Sequence, residues 1–246
     1  MLVFDNFNRA NNTDLDAEST GIGGSLAPYV WEENAHQGSP EIVNNRLQLG
    51  ETSAAGGWSI AWVDYNFAYD SQVINAGEFT VSVDIFNLGT GGGTRFSGFG
   101  VGNAIIDLAT WSANTPNNFT SDFFIGYDPT GTTEVKIFHG GTEAYQQTIN
   151  LNSEANLSVR FYGFSDFNAG TSVNYEASIN ESIVTTGTFA WSDTNENLIH
   201  LYSNYTNHTA QFDDFEVSTV PEPSRYALVL GGFALGIAFW RSKQKS

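Results

Sequence analysis

Apolar and polar residues alternate along most of the first 218 residues, which is the period of a β-strand with one buried face. In FTVSVDIFNL, residues 79–88, every second residue from Phe79 to Ile85 is apolar and the residues between them are polar. NLSVRFYGF (156–164) and TSVNYEASI (171–179) repeat this alternation. Further strands are predicted in the segments 1–4, 41–49, 58–65, 97–103, 122–128, 133–139, 197–203 and 210–218.

Turn residues separate the predicted strands at short intervals. DPTG (128–131) has Pro at the second position and Gly at the fourth, which predicts a type I turn closing a hairpin. No segment before residue 220 shows the periodicity of an amphipathic helix. We therefore predict an all-β domain over residues 1–218, a sandwich of two antiparallel sheets with a jelly-roll-like strand order.

Charge narrows the range of partners. The chain has nine Lys and Arg residues against 27 Asp and Glu residues, and a net charge of −18. Five of those cations and 26 of the acids lie in residues 1–219, which therefore carry a net charge of −21. Such a body repels phosphate backbones, so we expect no nucleic-acid binding. Acidity of this kind suits a neutral or cationic partner, divalent cations, or solubility alone.

The last 27 residues differ from the rest, because a Pro-Glu-Pro triplet leads into an apolar run and a basic tail. The run from Tyr226 to Trp240 is uncharged, and as a helix it would be about 22 Å long, shorter than a hydrocarbon core of ~30 Å. We predict a short hydrophobic helix that enters the membrane. Its predicted anchor residues are Tyr226, Leu230, Phe233, Ile237 and Trp240, and its predicted basic stop is Arg241, Lys243 and Lys245.

The order VPEPS, glycine-rich apolar run and basic tail in residues 219–246 resembles the PEP-CTERM sorting signal of Gram-negative bacteria. The resemblance implies that Pro221, Glu222 and Pro223 are read by an exosortase, a membrane transpeptidase. The inner membrane would then hold the chain only transiently, before release to the cell surface or extracellular matrix. Export also requires an N-terminal signal peptide. Because residues 1–4 look like a strand, we expect that the start was assigned too far downstream, and earlier removal of the leader is the alternative.

The body resembles the concanavalin A-like lectin/glucanase (LamG-like) domains that carry such signals in Verrucomicrobia-like bacteria. The matching segments are VFDNFNRANNTDLDA (3–17), AGEFTVSVD (76–84) and SNYTNHTAQFDDFEVST (203–219). Some proteins of that fold are glycoside hydrolases. Retaining enzymes of that class need two carboxyls about 5–5.5 Å apart, supplied there by E-x-D-x-x-E or E-x-D-x-E on one strand.

No such string occurs in this sequence. Asp84 has Ser82 and Phe86 at the flanking positions on its face, and the neighbours Asp213 and Asp214 point to opposite faces. A single carboxylate cannot serve as both acid and nucleophile, so we predict a protein that is not an enzyme. Glycoside hydrolysis remains a less favoured alternative.

The sequence establishes no cofactor, and a structural Ca²⁺ ion is the one metal ion for which it offers candidate ligands. The four histidines are scattered without metal-ligand spacing. DLDAES (14–19) begins like a calcium loop but lacks the later Gly and Glu. Asp5 and Asp214 are the candidate ligands for an ion that joins the two ends of the domain, and solvated carboxylates are the alternative.

Binding of an extracellular polysaccharide is the predicted activity. Sugar recognition uses aromatic faces together with amide and carboxylate hydrogen bonds. Trp111, Tyr202 and Tyr205 lie beside several asparagines in WSANTPNNFTSD (111–122) and YSNYTNH (202–208). They are the candidate glycan-binding residues. The alternative is an inert structural or adhesion component of the matrix.

Overall fold

A computed structural model describes residues 1–15, 20, 29–35, 39–50, 57–88, 96–103, 121–128, 134–149, 154–192, 197–205 and 209–219. Within these ranges the chain forms fifteen strands, a 3₁₀ helix at Phe67–Tyr69 and an α-helix, α1, at Ser71–Ala76. The strands are β1 Val3–Asp5, β2 Trp31–Ala35, β3 Glu41–Val43, β4 Arg46–Leu49, β5 Gly57–Val63, β6 Glu78–Leu88, β7 Ser97–Asn103, β8 Phe123–Asp128, β9 Glu134–His139, β10 Thr142–Thr148, β11 Glu154–Tyr162, β12 Ser172–Ile179, β13 Ser182–Ala190, β14 Asn197–Tyr205 and β15 Thr209–Ser218.

The strands form two sheets in which every described pair is antiparallel. The eight-stranded sheet has the order β13-β12-β11-β6-β15-β4-β3, with β1 also paired to β15. The seven-stranded sheet has the order β10-β9-β8-β7-β14-β5-β2. The prediction of an all-β, two-sheet antiparallel sandwich is confirmed.

The main core lies between the two sheets. Alternate residues of β6, from Phe79 to Ile85, are fully buried there, as the sequence pattern predicts. Aromatic rings from both sheets meet in this layer. Phe123 of β8, for example, contacts Phe161 of β11 edge to face at a centroid distance of 5.0 Å. Each such buried side chain contributes about 1.5–3 kcal/mol through removal of apolar surface from water.

Segment 41–49 is a hairpin and not the single strand that we predicted. Asn44 and Asn45 have φ angles of 54° and 61° and form a two-residue turn between β3 and β4. Two successive residues with positive φ match the twist of the flanking strands, and Asn tolerates this conformation better than most residues.

Five elements were missed, the 3₁₀ helix at Phe67–Tyr69 among them, because none carries a strong apolar period. β10 is almost wholly exposed, so its sequence needs no alternation of apolar and polar residues. The strands β2 and β13 were also overlooked. Helix α1 has only six residues, and its signals are its caps: Asp70 accepts from the N–H of Gln72, and Gly77 ends the helix with a φ of 61°.

Several predictions fall outside the described residues. These include the turn residues 129–131, the C-terminal helix and the whole sorting segment from residue 220 onward. The proposed division at residue 218 therefore stays a prediction. Among the residues that the structure describes, no helix is both long and apolar enough to cross a membrane.

Candidate functional site

The two sheets present different outward faces. We call the outward side of the eight-stranded sheet the polar face, because its side chains are mostly charged or hydrogen-bonding. The polar face comprises Arg46, Gln48, Glu78, Thr80, Ser82, Asp84, Phe86, Glu154, Asn156, Ser158, Arg160, Gln211 and Asp213. Alternation in β6 and β11 requires this arrangement, since the intervening residues fill the core.

A cavity of about 310 Å³ opens on the polar face where β6 and β11 meet the β12–β13 turn. Its polar and aromatic lining consists of Asp84, Phe86, Glu154, Asn156 and Asn180. The strand register explains the grouping, because Asn156 lies opposite Asp84 and Glu154 lies opposite Phe86. The cavity therefore combines carboxylates, amides and an aromatic ring.

Hydrogen bonds fix the orientation of the amides in this cavity. Asn156 Nδ2 donates to Asp84 Oδ1 at 2.7 Å. Asn180, which has a φ of 48° in the turn, accepts from the Asn156 backbone N–H through Oδ1 at 2.8 Å. Within the described part of the chain, Asp84 Oδ2 and the Glu154 carboxylate accept no hydrogen bond. The cavity thus offers acceptors to a ligand that carries hydroxyl or amino donors.

Asp213 lies directly opposite Asp84 in the β15–β6 ladder. Ser82 and Phe86 flank Asp84 along β6 as the sequence indicates, and the carboxylate beside it comes from a strand remote in sequence. Partial burial is the largest cause that raises the pKa of Asp213, and the charges of Asp214 and Asp84 act in the same direction. The Asp214 backbone N–H and Arg46 partly oppose this rise.

Arg46 links Asp213 to the aromatic residue of the cavity. Its Nε lies 3.8 Å from Asp213 Oδ2, and its guanidinium carbon lies 3.5 Å from the centroid of the Phe86 ring. Asp213 is therefore engaged by Arg46 and does not line the cavity. Only one carboxylate of the Asp84–Asp213 pair faces the cavity, and Glu154 supplies the second carboxylate of the lining.

We call the outward side of the seven-stranded sheet the aromatic face. It carries a second apolar cluster, separate from the main core, in which small glycines alternate with large rings. The aromatic face comprises Ile60, Trp62, Phe96, Gly98, Gly100, Phe124, Gly126, Phe138, His200 and Tyr202. Most of these side chains are buried, although they point away from the main core.

His200 lies at the centre of the aromatic face, between Trp62 and Gly100 in the strand register. A Cβ atom on Gly100 would lie 2.3 Å from His200 Nε2, so the imidazole occupies the space that the glycine leaves. The ring is 1% exposed, and neither nitrogen has a hydrogen-bond partner among the described residues. Burial lowers the pKa of His200 to about 3, so the imidazole is neutral at pH 7.

The predicted glycan-binding residues do not form one site among the described residues. Trp111 lies outside them, and for Tyr205 only the backbone is described. Tyr202 lies in β14 and not in a loop; it is 2% exposed and contacts Phe124 edge to face at 5.9 Å. Its ring therefore offers no open face to a sugar in this structure. The cavity residues were missed because they come from three segments far apart in sequence.

The predicted calcium ligands occupy different environments. Asp5 is fully buried and accepts from the Phe7 N–H at 2.7 Å, from Arg9 Nη2 at 2.9 Å and from Trp31 Nε1 at 2.8 Å. Asp214 is exposed and has a φ of 45°. Across the described ranges, no group of three or more His, Asp or Glu side chains could hold a metal ion. Protein donors therefore occupy the Asp5 carboxylate, the pairing of β1 with β15 joins the two ends of the domain, and calcium remains a prediction.

No protein-family model matches this sequence, and no curated protein matches it. Solved structures do. The carbohydrate recognition domain of Emp46p in its metal-free form has a TM-score of 0.51 at 9% identity, covering 78% of this chain and 88% of that chain. The legume lectin-like domain from Entamoeba histolytica has a TM-score of 0.50 at 10% identity, covering 78% and 90%.

A third structure, the carbohydrate recognition domain of Emp47p, has a TM-score of 0.51 at 11% identity and covers 89% of this chain and 98% of that chain. At this level of identity the similarity concerns the fold alone. The chain therefore has a lectin-like, concanavalin A-like sandwich fold, as its resemblance to that group predicts.

Proposed function

We propose that this protein is a non-enzymatic, exported glycan-binding module that binds a saccharide in the cavity on the polar face. The observation that supports this most directly is the cavity itself, in which Asp84, Glu154 and two oriented asparagines line the same space as Phe86. Carboxylate and amide groups pair with sugar hydroxyls, and an aromatic ring packs against the apolar face of a sugar ring. The similar solved structures named as carbohydrate recognition domains agree with this assignment.

Charge favours a neutral or amino-bearing glycan over an acidic one. The cavity contains two carboxylates and no cation among its lining residues, and the body carries an excess of acids. An uronate or sulfated polymer would meet like charge at close range. We expect neutral or amine-bearing oligosaccharides to bind and alginate-like polymers not to bind.

A binding titration with a panel of oligosaccharides tests this function. For a glycan that binds, Asp84→Asn should weaken the affinity by roughly tenfold or more, because the charge-assisted hydrogen bond to a sugar hydroxyl is lost. Ser82→Ala is the matched control, since Ser82 lies on the same face of β6 but does not line the cavity. Trp111→Ala tests the loop site that the sequence suggests.

The outcomes separate the alternatives. Loss of binding in Asp84→Asn with retention in Ser82→Ala and Trp111→Ala supports the cavity. Loss only in Trp111→Ala moves the site to the loop. No binding across the panel contradicts glycan recognition and leaves the inert matrix role.

Export through an exosortase belongs to the same proposal and is supported by the sequence of residues 219–246. Trimming near Pro221–Pro223 would free the β-sandwich from the apolar run and deliver it to the cell surface. Intact mass of protein from its own cells measures this. A product that ends near the Pro-Glu-Pro triplet is expected, and a cytosolic product that retains Lys245 contradicts the route.

A further inference from the structure

The strand register of the eight-stranded sheet places five side chains in one row across its strands. Glu41 of β3 lies opposite Gln48 of β4, which lies opposite Gln211 of β15. Gln211 also lies opposite Phe86 of β6, and Phe86 lies opposite Glu154 of β11. The sequence neighbours of all five belong to the main core, so the five side chains point outward. We call them the cross-strand row.

The cross-strand row is several sugar units long and ends in the cavity. Neighbouring strands are about 4.7–4.9 Å apart, so the four steps from β3 to β11 span about 19 Å. Phe86 and Glu154, at one end of the row, also line the cavity. A linear ligand held in the cavity can therefore continue across the strands without leaving the polar face.

Hydrogen bonds orient the amides of the row. Gln211 Nε2 donates to Gln48 Oε1 at 3.1 Å, and Gln48 Nε2 donates to Glu41 Oε1 at 2.7 Å. A glutamine amide has two N–H donors and two acceptor lone pairs. These bonds use one donor and one lone pair of Gln48, whose side chain is half-buried. Gln48 therefore keeps one donor and one acceptor for a ligand, in a fixed orientation.

Arg46 lies beside the row, between Gln48 and the cavity. Its guanidinium carbon is 3.5 Å from the centroid of the Phe86 ring, and its Nε is 3.8 Å from Asp213 Oδ2. The Arg46 side chain is 34% exposed, and a guanidinium has five N–H donors. The middle of the row thus offers donors, whereas the carboxylates of Glu41 and Glu154 offer acceptors at its two ends.

This order of charges favours an uncharged ligand. An acidic polymer would meet the carboxylates of Glu41 and Glu154 at short range, and a uniformly basic polymer would meet the guanidinium of Arg46. A neutral saccharide meets no like charge at any point of the row. Its hydroxyl groups both donate and accept, so they match the acceptors at the ends and the donors in the middle.

We propose that Gln48 and Glu41 form a second saccharide subsite, and that the ligand is a neutral, unbranched oligosaccharide with one end in the cavity. This inference rests on the proposed function and extends it. Gln48 is three strand spacings from Glu154, or about 14 Å, so only an oligomer of roughly three or more units reaches it. Because the units are linked, the second contact is intramolecular and raises the affinity even where it is weak alone.

Titration of the full chain with oligosaccharides of graded length tests the second subsite. The probes are linear, neutral β-1,4-linked oligomers of glucose, mannose and N-acetylglucosamine, from dimers to hexamers. For a series that binds, we expect the hexamer to bind roughly tenfold more tightly than the dimer. Gln48→Ala should weaken hexamer binding roughly fivefold, because the hydrogen bonds of the subsite are lost, and leave dimer binding unchanged. Asp84→Asn should weaken binding at every length.

A matched control and a second readout locate the contact. Gln146→Ala is the control, because Gln146 is an exposed glutamine on β10 of the other sheet, and it should bind the hexamer as the wild type does. In amide NMR spectra, the hexamer should shift the signals of residues 46–49 together with those of residues 154–156. The dimer should shift only the latter, since it does not reach β4.

The outcomes separate the second subsite from the function of the cavity. If dimers and hexamers bind equally and Asp84→Asn weakens both, the cavity function stands and the second subsite is overturned. If Gln48→Ala weakens dimers and hexamers to the same extent, Gln48 acts only through the fold, and the subsite is again overturned. If no oligomer of any length binds, the subsite and the glycan-binding function of the cavity both fail for these polymers.

Discussion

The polar face and the aromatic face belong to the same two-sheet sandwich, but their outward side chains differ in polarity and in burial. On β6 of the polar face, Thr80, Ser82 and Asp84 alternate with core residues and remain partly exposed. On β8 of the aromatic face, Phe123 and Phe124 are adjacent and both fully buried, one on each side of the sheet. The eight-stranded sheet is therefore buried on one face only, whereas the seven-stranded sheet is buried on both faces.

This difference leaves hydrogen-bonding side chains accessible on one face and packs aromatic rings on the other. The polar face keeps carboxylates and amides at an open cavity. The aromatic face uses glycines so that rings can lie flat over the strands: a Cβ on Gly126 would lie 2.6 Å from the Phe124 ring. Stability should therefore be sensitive to substitutions on the aromatic face and tolerant of them on the polar face.

The largest expected effect is the loss of a ring from the aromatic face. Phe124→Ala should lower the free energy of unfolding by about 3–5 kcal/mol, because the buried ring leaves a cavity among Phe138, His200 and Tyr202. Phe86→Ala is the control on the polar face, and it should lower the free energy of unfolding by less than half as much. Urea unfolding of the two variants measures the contrast, and equal losses would contradict the distinction between the faces.

The sequence predicts this contrast only in strands where apolar and polar residues alternate. The strands β6, β11 and β12 were predicted to within two residues, because each has one apolar and one polar side. The edge strand β13 was missed, since a strand with little buried surface needs no period. Asp213 could be placed beside Asp84 only by the fold, because they lie on strands remote in sequence.

The aromatic face was harder to predict than the polar face. Where both sides of a strand are buried, the apolar run is continuous, and the sequence does not reveal which residues share a side. Tyr202 therefore looked like an exposed ring in a polar segment, although it packs against Phe124. His200 looked like one of four scattered histidines, and its burial follows only from its neighbours on β5 and β7.

A smaller effect should appear in acid. The pKa of His200 is about 3 when folded and close to 6.5 when unfolded, so the unfolded chain binds more protons between these values. His200 should therefore destabilise the fold progressively as pH falls through 6.5 towards 3, by roughly 1 kcal/mol per pH unit. His200→Leu removes this titration, so its stability should exceed that of the wild type increasingly at low pH.

Measuring the unfolding free energies of the wild type and His200→Leu between pH 4 and 8 tests this predicted pH dependence. Carboxylates titrate in both proteins, so the difference between the two curves reports the imidazole. His139→Leu is the comparison, because burial also lowers the pKa of His139 but that ring belongs to the inner layer. A constant difference across the pH range would show that His200 titrates normally and that the centre of the aromatic face admits water.

The smallest expected effect tests the polar face. Arg46→Gln removes the stacking on Phe86 and the positive charge that partly opposes the raised pKa of Asp213. The free energy of unfolding should fall only slightly, because exposed ion pairs of this kind contribute at most about 1 kcal/mol. The pKa of Asp213 should rise further, since burial and Asp84 then act without an opposing cation. Carboxyl NMR titration of Asp213 measures the shift. If the unfolding free energy instead fell as far as in Phe124→Ala, the polar face would be a second packed layer and the functional contrast between the two sheets would be lost.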